Sequence, residues 1–253
     1  MCELLGMSAN VPTDVCFSFS GLIRRGGVTG PHKDGWGIVF YEGKGCRTFL
    51  EPKAGAYSEI ARLVQEYPIK SQTVIAHIRR ANVGAVCLEN THPFLRELWG
   101  DNWTFAHNGR LIGIKKKKLT FFKPVGTTDS EHAFCWVLDS LRRSFPKKPS
   151  IKILIPFIRK LLDKLNELGI SNVLLSDGVR LYAYCSTSLS WITRKAPFGS
   201  ATLIDKDLQI DFKKETSSKD VVTVIVTKPL TNNEHWDLIS PGDLKVFYDG
   251  HLI

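Results

Sequence analysis

No apolar run in this sequence approaches eighteen residues, so it offers no helix able to span a membrane. The opening of an export signal is missing too. Met1-Cys2-Glu3-Leu4-Leu5-Gly6-Met7 has no basic start, and Gly6, Ser8 and Asn10 interrupt its apolar residues. With no such leader ahead of it, Cys2 is not expected to be a lipidated cysteine. Cysteines are few, six in 253 residues, and no two are close enough for a C-x-x-C zinc or redox pair. Cys16, Cys46, Cys87, Cys135 and Cys185 therefore read as inert thiols in a reducing compartment, and a cytoplasmic protein is expected. Neither a low-complexity linker nor an internal repeat interrupts the chain. Residues 1–253 are expected to form a single domain.

What is present suits a soluble globular protein: 43% of residues are hydrophobic and 23% charged. The net charge is +9, with basic residues at Lys115 to Lys118, Lys147-Lys148 and Lys213-Lys214. A nucleic-acid surface would call for interleaved aromatics or a binding motif, and the lysine run has neither. The charge reads as solvated loops, and neither nucleic acid nor membrane is expected as a partner.

Hydrophobic patterning places strands at 2–7, 35–41, 47–50, 73–78 and 103–107, rich in β-branched and aromatic residues. A short helix is expected over 59–66. In Asp129 to Phe145, Ala133, Phe134, Val137, Leu138 and Leu141 recur at helical spacing, and Thr128 with Glu131 forms a capping-box pattern. A second long helix is expected over Ile153 to Leu168, with Pro156 in its first turn and Gly169 ending it. Strands return at 172–175, 180–185, 190–193, 201–204, 221–226 and 244–248. Helices between two blocks of strands suit an α+β fold of stacked sheets with helices outside.

Five places carry chemistry. Cys2 would hold both a thiol and a free α-amine once Met1 is removed. Such an amine has a pKa near ~8 and can act as a base at neutral pH, the logic of an N-terminal nucleophile. His77-Ile78-Arg79-Arg80-Ala81-Asn82-Val83-Gly84 ends an apolar strand. Two arginines there suit a carboxylate, which a guanidinium grips through two parallel hydrogen bonds; a surface salt bridge is the plain alternative. His77 taken alone reads as a structural histidine. Asn90-Thr91-His92-Pro93-Phe94 is a polar turn. Asn108-Gly109 reads either as an ordinary turn or as an oxyanion hole made from the Asn108 amide and the Gly109 N–H. Asp129, in the first turn of its helix, sits in the positive field of the helix dipole and could hold an ammonium group.

Taken together and in order, Met1-Cys2, Asp34-Gly35-Trp36-Gly37, His77-x-Arg79-x-Ala81, Asn90-x-His92-Pro93, His107-Asn108-Gly109 and Thr128-Asp129-Ser130-Glu131 resemble the glutaminase domain of class II glutamine amidotransferases. Leu175-Ser176-Asp177-Gly178 and Ser186-Thr187-Ser188 extend the resemblance to the stand-alone YafJ-type branch. It implies the four-layer αββα sandwich of N-terminal nucleophile hydrolases. It also implies roles: Cys2 as nucleophile, Asn108 and Gly109 as oxyanion hole, Arg79 as α-carboxylate clamp and Asp129 as α-ammonium partner. His77 and His92 are carried along as substrate-side residues. The implied chemistry needs neither metal nor organic cofactor. The chain departs from the sugar-phosphate members at Arg80 and Asn82, where those carry an aromatic residue and a threonine. Hydrolysis of glutamine, with a synthase or peptidase partner subunit to use the product, therefore stands beside hydrolysis of another γ-glutamyl amide such as a glutathione-like peptide. A non-catalytic basic binding protein that keeps only the fold is the third reading, and Cys2, Arg79, Asn108 and Asp129 argue against it.

Overall fold

The computed structural model describes residues 2–82, 84–212, 217 and 219–253. Met1, Val83 and the Lys213-Lys214 pair lie outside them. The chain begins with β1 (Glu3–Thr13), α1 (Cys16–Arg24), β2 (Trp36–Glu42), β3 (Gly45–Glu51), α2 (Glu59–Glu66) and β4 (Ser71–Ile78). It continues through β5 (Phe94–Leu98), β6 (Asp101–Leu111), α3 (Asp129–Ser144) and α4 (Ile151–Asn166). Then come β7 (Gly169–Ser176), β8 (Arg180–Tyr184), β9 (Leu189–Lys195), β10 (Ser200–Thr202) and β11 (Gln209–Asp211). The last strands are β12 (Val221–Val226), β13 (Asp237–Ile239), β14 (Leu244–Tyr248) and β15 (His251–Leu252).

Two antiparallel sheets form the centre. One has seven strands in the order β13-β9-β12-β1-β4-β2-β3, the other six in the order β15-β14-β8-β7-β6-β5. The alternation of side chains along β1 explains how they stack. Leu5, Met7 and Ala9 face a core shared with Phe19, Leu22 and Ile23 of α1. Leu4 faces the other way, into a core between the sheets with Ala106, Leu174 and Leu181. Gly6 shares that second face; a Cβ there would lie 2.8 Å from a Leu181 methyl, so its absence lets the sheets close up. On the far side of the second sheet, Phe134, Val137, Leu138 and Leu141 of α3 pack with Ile158, Leu161, Leu162 and Leu165 of α4. The result is helices, sheet, sheet, helices: the αββα sandwich.

Some elements differ from the sequence reading. Helix α4 starts at Ile151, so Pro156 lies inside it rather than in its first turn. Pro156 is exposed, so the carbonyl that loses a partner there opens to water. Thr128 accepts from the Glu131 N–H at 3.1 Å, but Glu131 does not complete the capping box. Its carboxylate takes the N–H groups of Val125 and Gly126 and pairs with Arg96. Three of the lysines are individually engaged: Lys115 donates to Thr127 O, Lys117 lies over the Trp136 ring, and Lys148 pairs with Asp101 and Asp177. No helix among the described residues is long and apolar enough to cross a membrane.

Candidate active site

Cys2 directly precedes β1, which β4 and β12 flank on either side. Glu3 pairs with Ile78 in register, which brings Cys2 to the residues leaving the end of β4. There the Arg80 N–H donates to the Cys2 Sγ at 3.3 Å, and the thiol lies 3.5 Å from Arg80 O. The start of β1 is pinned from two further directions. Thr227 accepts from the Leu4 N–H at 2.9 Å and returns its own N–H to Leu4 O at 3.2 Å. Glu3 is buried and paired with buried Arg25 at 2.8 Å, and Arg25 also holds Asp205 at 2.6 Å. Burial pushes the Cys2 thiol above its ordinary pKa; the Arg80 N–H and the Arg79 charge pull it down by less. At neutral pH the resting thiol is protonated.

Asn108 and Gly109 do not form a turn. They lie within β6, opposite Asn172 and Ser171 of β7. The Asn108 side chain is wholly buried, and neither its oxygen nor its nitrogen has a partner among the described residues. An unspent amide in such a place carries a desolvation cost of about 1–3 kcal/mol, which evolution tolerates most readily where the amide has work to do. Gly109 is a glycine because the strands approach so closely: a Cβ would lie 1.8 Å from Ile170 O.

Arg79 leaves β4 through Gly35, whose carbonyl accepts the Arg79 N–H at 2.7 Å. Its guanidinium donates to Ala85 O at 2.9 Å and Gly84 O at 3.3 Å, which folds the 84–90 loop over it. Asn90 locks that loop to the entrance of α3, accepting from Thr127 N at 2.7 Å and donating to Ala85 O at 3.1 Å. Asp34, of the Asp34-Gly35-Trp36-Gly37 motif, accepts from the Ala81 N–H at 2.8 Å. Asp129 opens α3 and accepts from the Leu111 N–H at 2.8 Å, two residues beyond Gly109.

Three histidines stand behind these groups. His77 and His92 are buried with rings 4.3 Å apart, and no ring nitrogen of either has a partner among the described residues. Burial and neighbouring positive charge lower His77 to about 3 and place His92 well below its ordinary value. His107 lies 2.8 Å from Ser130 Oγ through Nδ1 and 3.1 Å from Ile170 O through Nε2. A carbonyl can only accept, so Nε2 carries the proton and Nδ1 receives the Ser130 hydroxyl. Burial lowers His107 as well, partly opposed by Asp129.

Cys2, Arg79, His92, His107, Gly109 and Asp129 line one small cavity of about 30 Å³, roughly a single water's share of the liquid. Asn108 and His77 are adjacent in sequence or packing but do not border it. No group of three His, Cys, Asp or Glu among the described residues is arranged to hold a metal. One residue escaped the sequence reading. Asn172 is fully buried; its oxygen accepts from the N–H groups of Ser186, Thr187 and Ser188 at 3.0, 3.0 and 3.3 Å. Its nitrogen donates to Thr187 Oγ1 at 2.8 Å and Asn108 O at 3.3 Å. An asparagine inside an apolar strand was the available signal.

A family model described as glutamine amidotransferases class-II matches residues 1–253. The Escherichia coli (strain K12) protein named "Putative glutamine amidotransferase YafJ" is 61% identical over 254 residues, with 100% of each chain covered. A solved structure of a predicted glutamine amidotransferase from Pseudomonas aeruginosa PA01 is 53% identical, covers 100% of this chain and 99% of that one, and superposes with a TM-score of 0.80. The glutamine phosphoribosylpyrophosphate amidotransferase from B. subtilis shares the fold alone, at 14% identity and a TM-score of 0.64, covering 100% of this chain and 48% of that one.

Proposed function

The chain belongs to the class II glutamine amidotransferases, and from that premise we propose that it hydrolyses γ-glutamyl amides through a thioester on Cys2. One observation carries the reading: the Cys2 thiol shares a cavity with Arg79, Gly109 and Asp129, brought there from residue 2, the end of β4, β6 and α3. Arg79 holds the substrate α-carboxylate and Asp129 the α-ammonium. The γ-carbonyl then meets the thiol, and its oxygen turns to the Gly109 N–H and the Asn108 amide. His92 walls the cavity, with His77 packed behind it.

The thiol proton needs an acceptor, because the resting thiol is neutral. His107 has both nitrogens committed, and the low pKa of His77 and His92 makes them poor bases. Asp129 is tied to Leu111 and reserved for the ammonium. The α-amine of Cys2, freed by removal of Met1 and carried on the same residue as the thiol, is the base of this mechanism. It takes the thiol proton as the C–S bond forms and passes it to the departing amine as the C–N bond breaks. Water then adds to the thioester; glutamate leaves and the thiol is restored.

Glutamine hydrolysis delivers ammonia to a partner synthase subunit in the cytoplasm; a partner peptidase instead suits cleavage of a γ-glutamyl peptide, whose released part it would hydrolyse. The second reading, cleavage of a larger γ-glutamyl amide, is favoured by an open depression beside the Cys2 cavity, with which it shares Arg80, Ala81 and Asn82. A panel of glutamine, glutathione and γ-glutamyl amines, each scored for glutamate release with native protein and with Cys2→Ala, tests the proposal. Release that depends on Cys2 is expected for at least one compound. Release that survives Cys2→Ala rejects the mechanism.

A further inference from the structure

Far from Cys2, a pocket of about 510 Å³ falls within the range of ~300–1,000 Å³ usual for small-molecule sites. Helix α3 spans the interval: Asp129 at its start borders the Cys2 cavity, and Arg142 in its last turn borders this pocket. At ~1.5 Å per residue the helix sets the two about 20 Å apart. One wall of the pocket is the turn between β5 and β6, with Trp99. The segment before α3 supplies Phe121 and Phe122, and the chain leaving α3 supplies Pro146 and Lys147.

The aromatic walls are held in place. Trp99 has φ 61° and Gly100 φ 80°, in a two-residue hairpin turn that favours asparagine or glycine at the first position. A bulky residue rarely adopts that conformation. Here the indole N–H donates to Phe145 O at 3.1 Å, and the ring meets Trp103 edge-on with centroids 6.0 Å apart. The indole thus anchors the hairpin and lines the pocket at once. Opposite it, buried Asp139 accepts the N–H groups of Thr120, Phe121 and Phe122 at 2.5, 2.8 and 2.9 Å. On that pinned backbone Phe121 is still 56% exposed. It offers an aromatic face at little further cost in ordering.

The charge of the pocket has one sign to spare. Glu97 is the one carboxylate among its described lining residues, and it already accepts the Gly100 N–H at 2.6 Å. Lys148 is spent on Asp101 and Asp177. Lys147 is exposed and, among the described residues, has no hydrogen bond or ion pair. Arg142 is exposed too; it donates to Pro146 O at 2.8 Å, and its other N–H groups have no partner among the described residues. A guanidinium and an ammonium on one rim suit a phosphate, which carries about −1.5 to −2 charge at neutral pH.

We propose that this pocket binds a nucleoside phosphate, with the base against Phe121 and Trp99 and the phosphate at Arg142 and Lys147. It has no lining residue in common with the Cys2 cavity, so the ligand is neither substrate nor product of the reaction proposed above.

Calorimetric titration of the full chain with adenosine monophosphate, adenosine and ribose 5-phosphate tests this. The nucleotide is expected to bind at least about fivefold more tightly than ribose 5-phosphate, the lower end of what stacking one base on an aromatic side chain contributes. It is expected to bind about two- to fivefold more tightly than adenosine, an advantage that shrinks as salt rises. Phe121→Ala should remove the first advantage, and Arg142→Gln or Lys147→Gln should reduce the second. All three side chains are exposed, so the fold does not depend on them. Cys2→Ala should bind the nucleotide as the native protein does. No binding at millimolar nucleotide, equal affinity for the nucleotide and either fragment, or affinities unmoved by all three substitutions overturns the proposal. Loss of binding in Cys2→Ala, or binding of a single-stranded oligonucleotide where the mononucleotide fails, overturns it as well.

Discussion

The side-chain amide of Asn172 donates to the main-chain carbonyl of Asn108 at 3.3 Å. That carbonyl and the Gly109 N–H are opposite ends of one planar peptide unit. Fixing the first therefore aims the second, and drawing electron density toward the carbonyl makes the N–H a better donor. Asn172→Asp keeps an acceptor for the N–H groups of Ser186, Thr187 and Ser188 but loses the donor to Asn108. We expect kcat to fall by about fivefold, the worth of one hydrogen bond of ~1 kcal/mol, with KM little changed. Asn172→Ala should also lower the melting temperature, because three N–H groups lose their partner. Equal kcat for Asn172→Asp and the native protein would detach Asn172 from the chemistry.

Asn108 itself has the larger effect. Its amide has no partner in the resting protein, so truncation breaks no hydrogen bond there. Asn108→Ala should lower kcat by about two to three powers of ten at nearly constant KM, the size of a lost oxyanion donor. The melting temperature should change only by the small cavity left behind. A strongly destabilised variant with near-normal kcat would mean that Asn108 serves the strand alone.

Processing of the N-terminus is testable by mass. A residue ahead of Cys2 would block the amine that the mechanism uses as base. Active protein should therefore begin at Cys2 in an intact-mass spectrum, and Cys2→Ser should lose most activity, since a hydroxyl is far less acidic than a thiol. Cys135→Ala should retain turnover. Full activity in protein that quantitatively keeps Met1 would exclude the amine.

Acid should weaken the fold through the histidine cluster. In the unfolded chain histidine titrates near ~6.5, whereas burial holds His77, His92 and His107 neutral in the folded protein. Below that pH the unfolded chain binds protons that the folded chain refuses, so stability is complete above about pH 6.5 and declines as pH falls. For His77 the loss continues to about pH 3, at roughly 1.4 kcal/mol per pH unit. Denaturant midpoints measured from pH 7.5 down to 4.5 should show this slope. His77→Gln should flatten it by about one proton; an unchanged slope would place the acid sensitivity elsewhere.

Long, strongly patterned elements were readable from sequence because one face of each meets a core. The stripe of Ala133, Phe134, Val137, Leu138 and Leu141 lies in α3, and Val221–Val226 is the buried strand β12. Helix α1 was not seen. Phe17-Ser18-Phe19-Ser20 alternates like a strand, and the helix is buried almost all round, so no stripe of helical period marks it. Strand β5 was hidden by half-buried Arg96 and exposed Glu97. At the site, Cys2, Arg79, Gly109 and Asp129 were legible as short motifs, and they line one cavity. Asn172 was not, because its partners are Asn108 and the 186–188 turn, and only the pairing of β6 with β7 makes them neighbours.

The placement of Cys2 at the head of β1 makes the chemistry a matter of strand registration. Leu4 and Leu5 are matched to β4, and Leu5 to Val226 of β12 as well, so the ladder on both sides measures the distance to the thiol. One residue inserted or deleted between Cys2 and Ser8 would slide the thiol by about 3.3 Å and turn every side chain ahead of the change to the opposite face. The pairing of β1 with β4 becomes irregular only between Ser8 and Thr13. Changes in length are absorbed in that stretch, and the six residues after the nucleophile behave as a ruler.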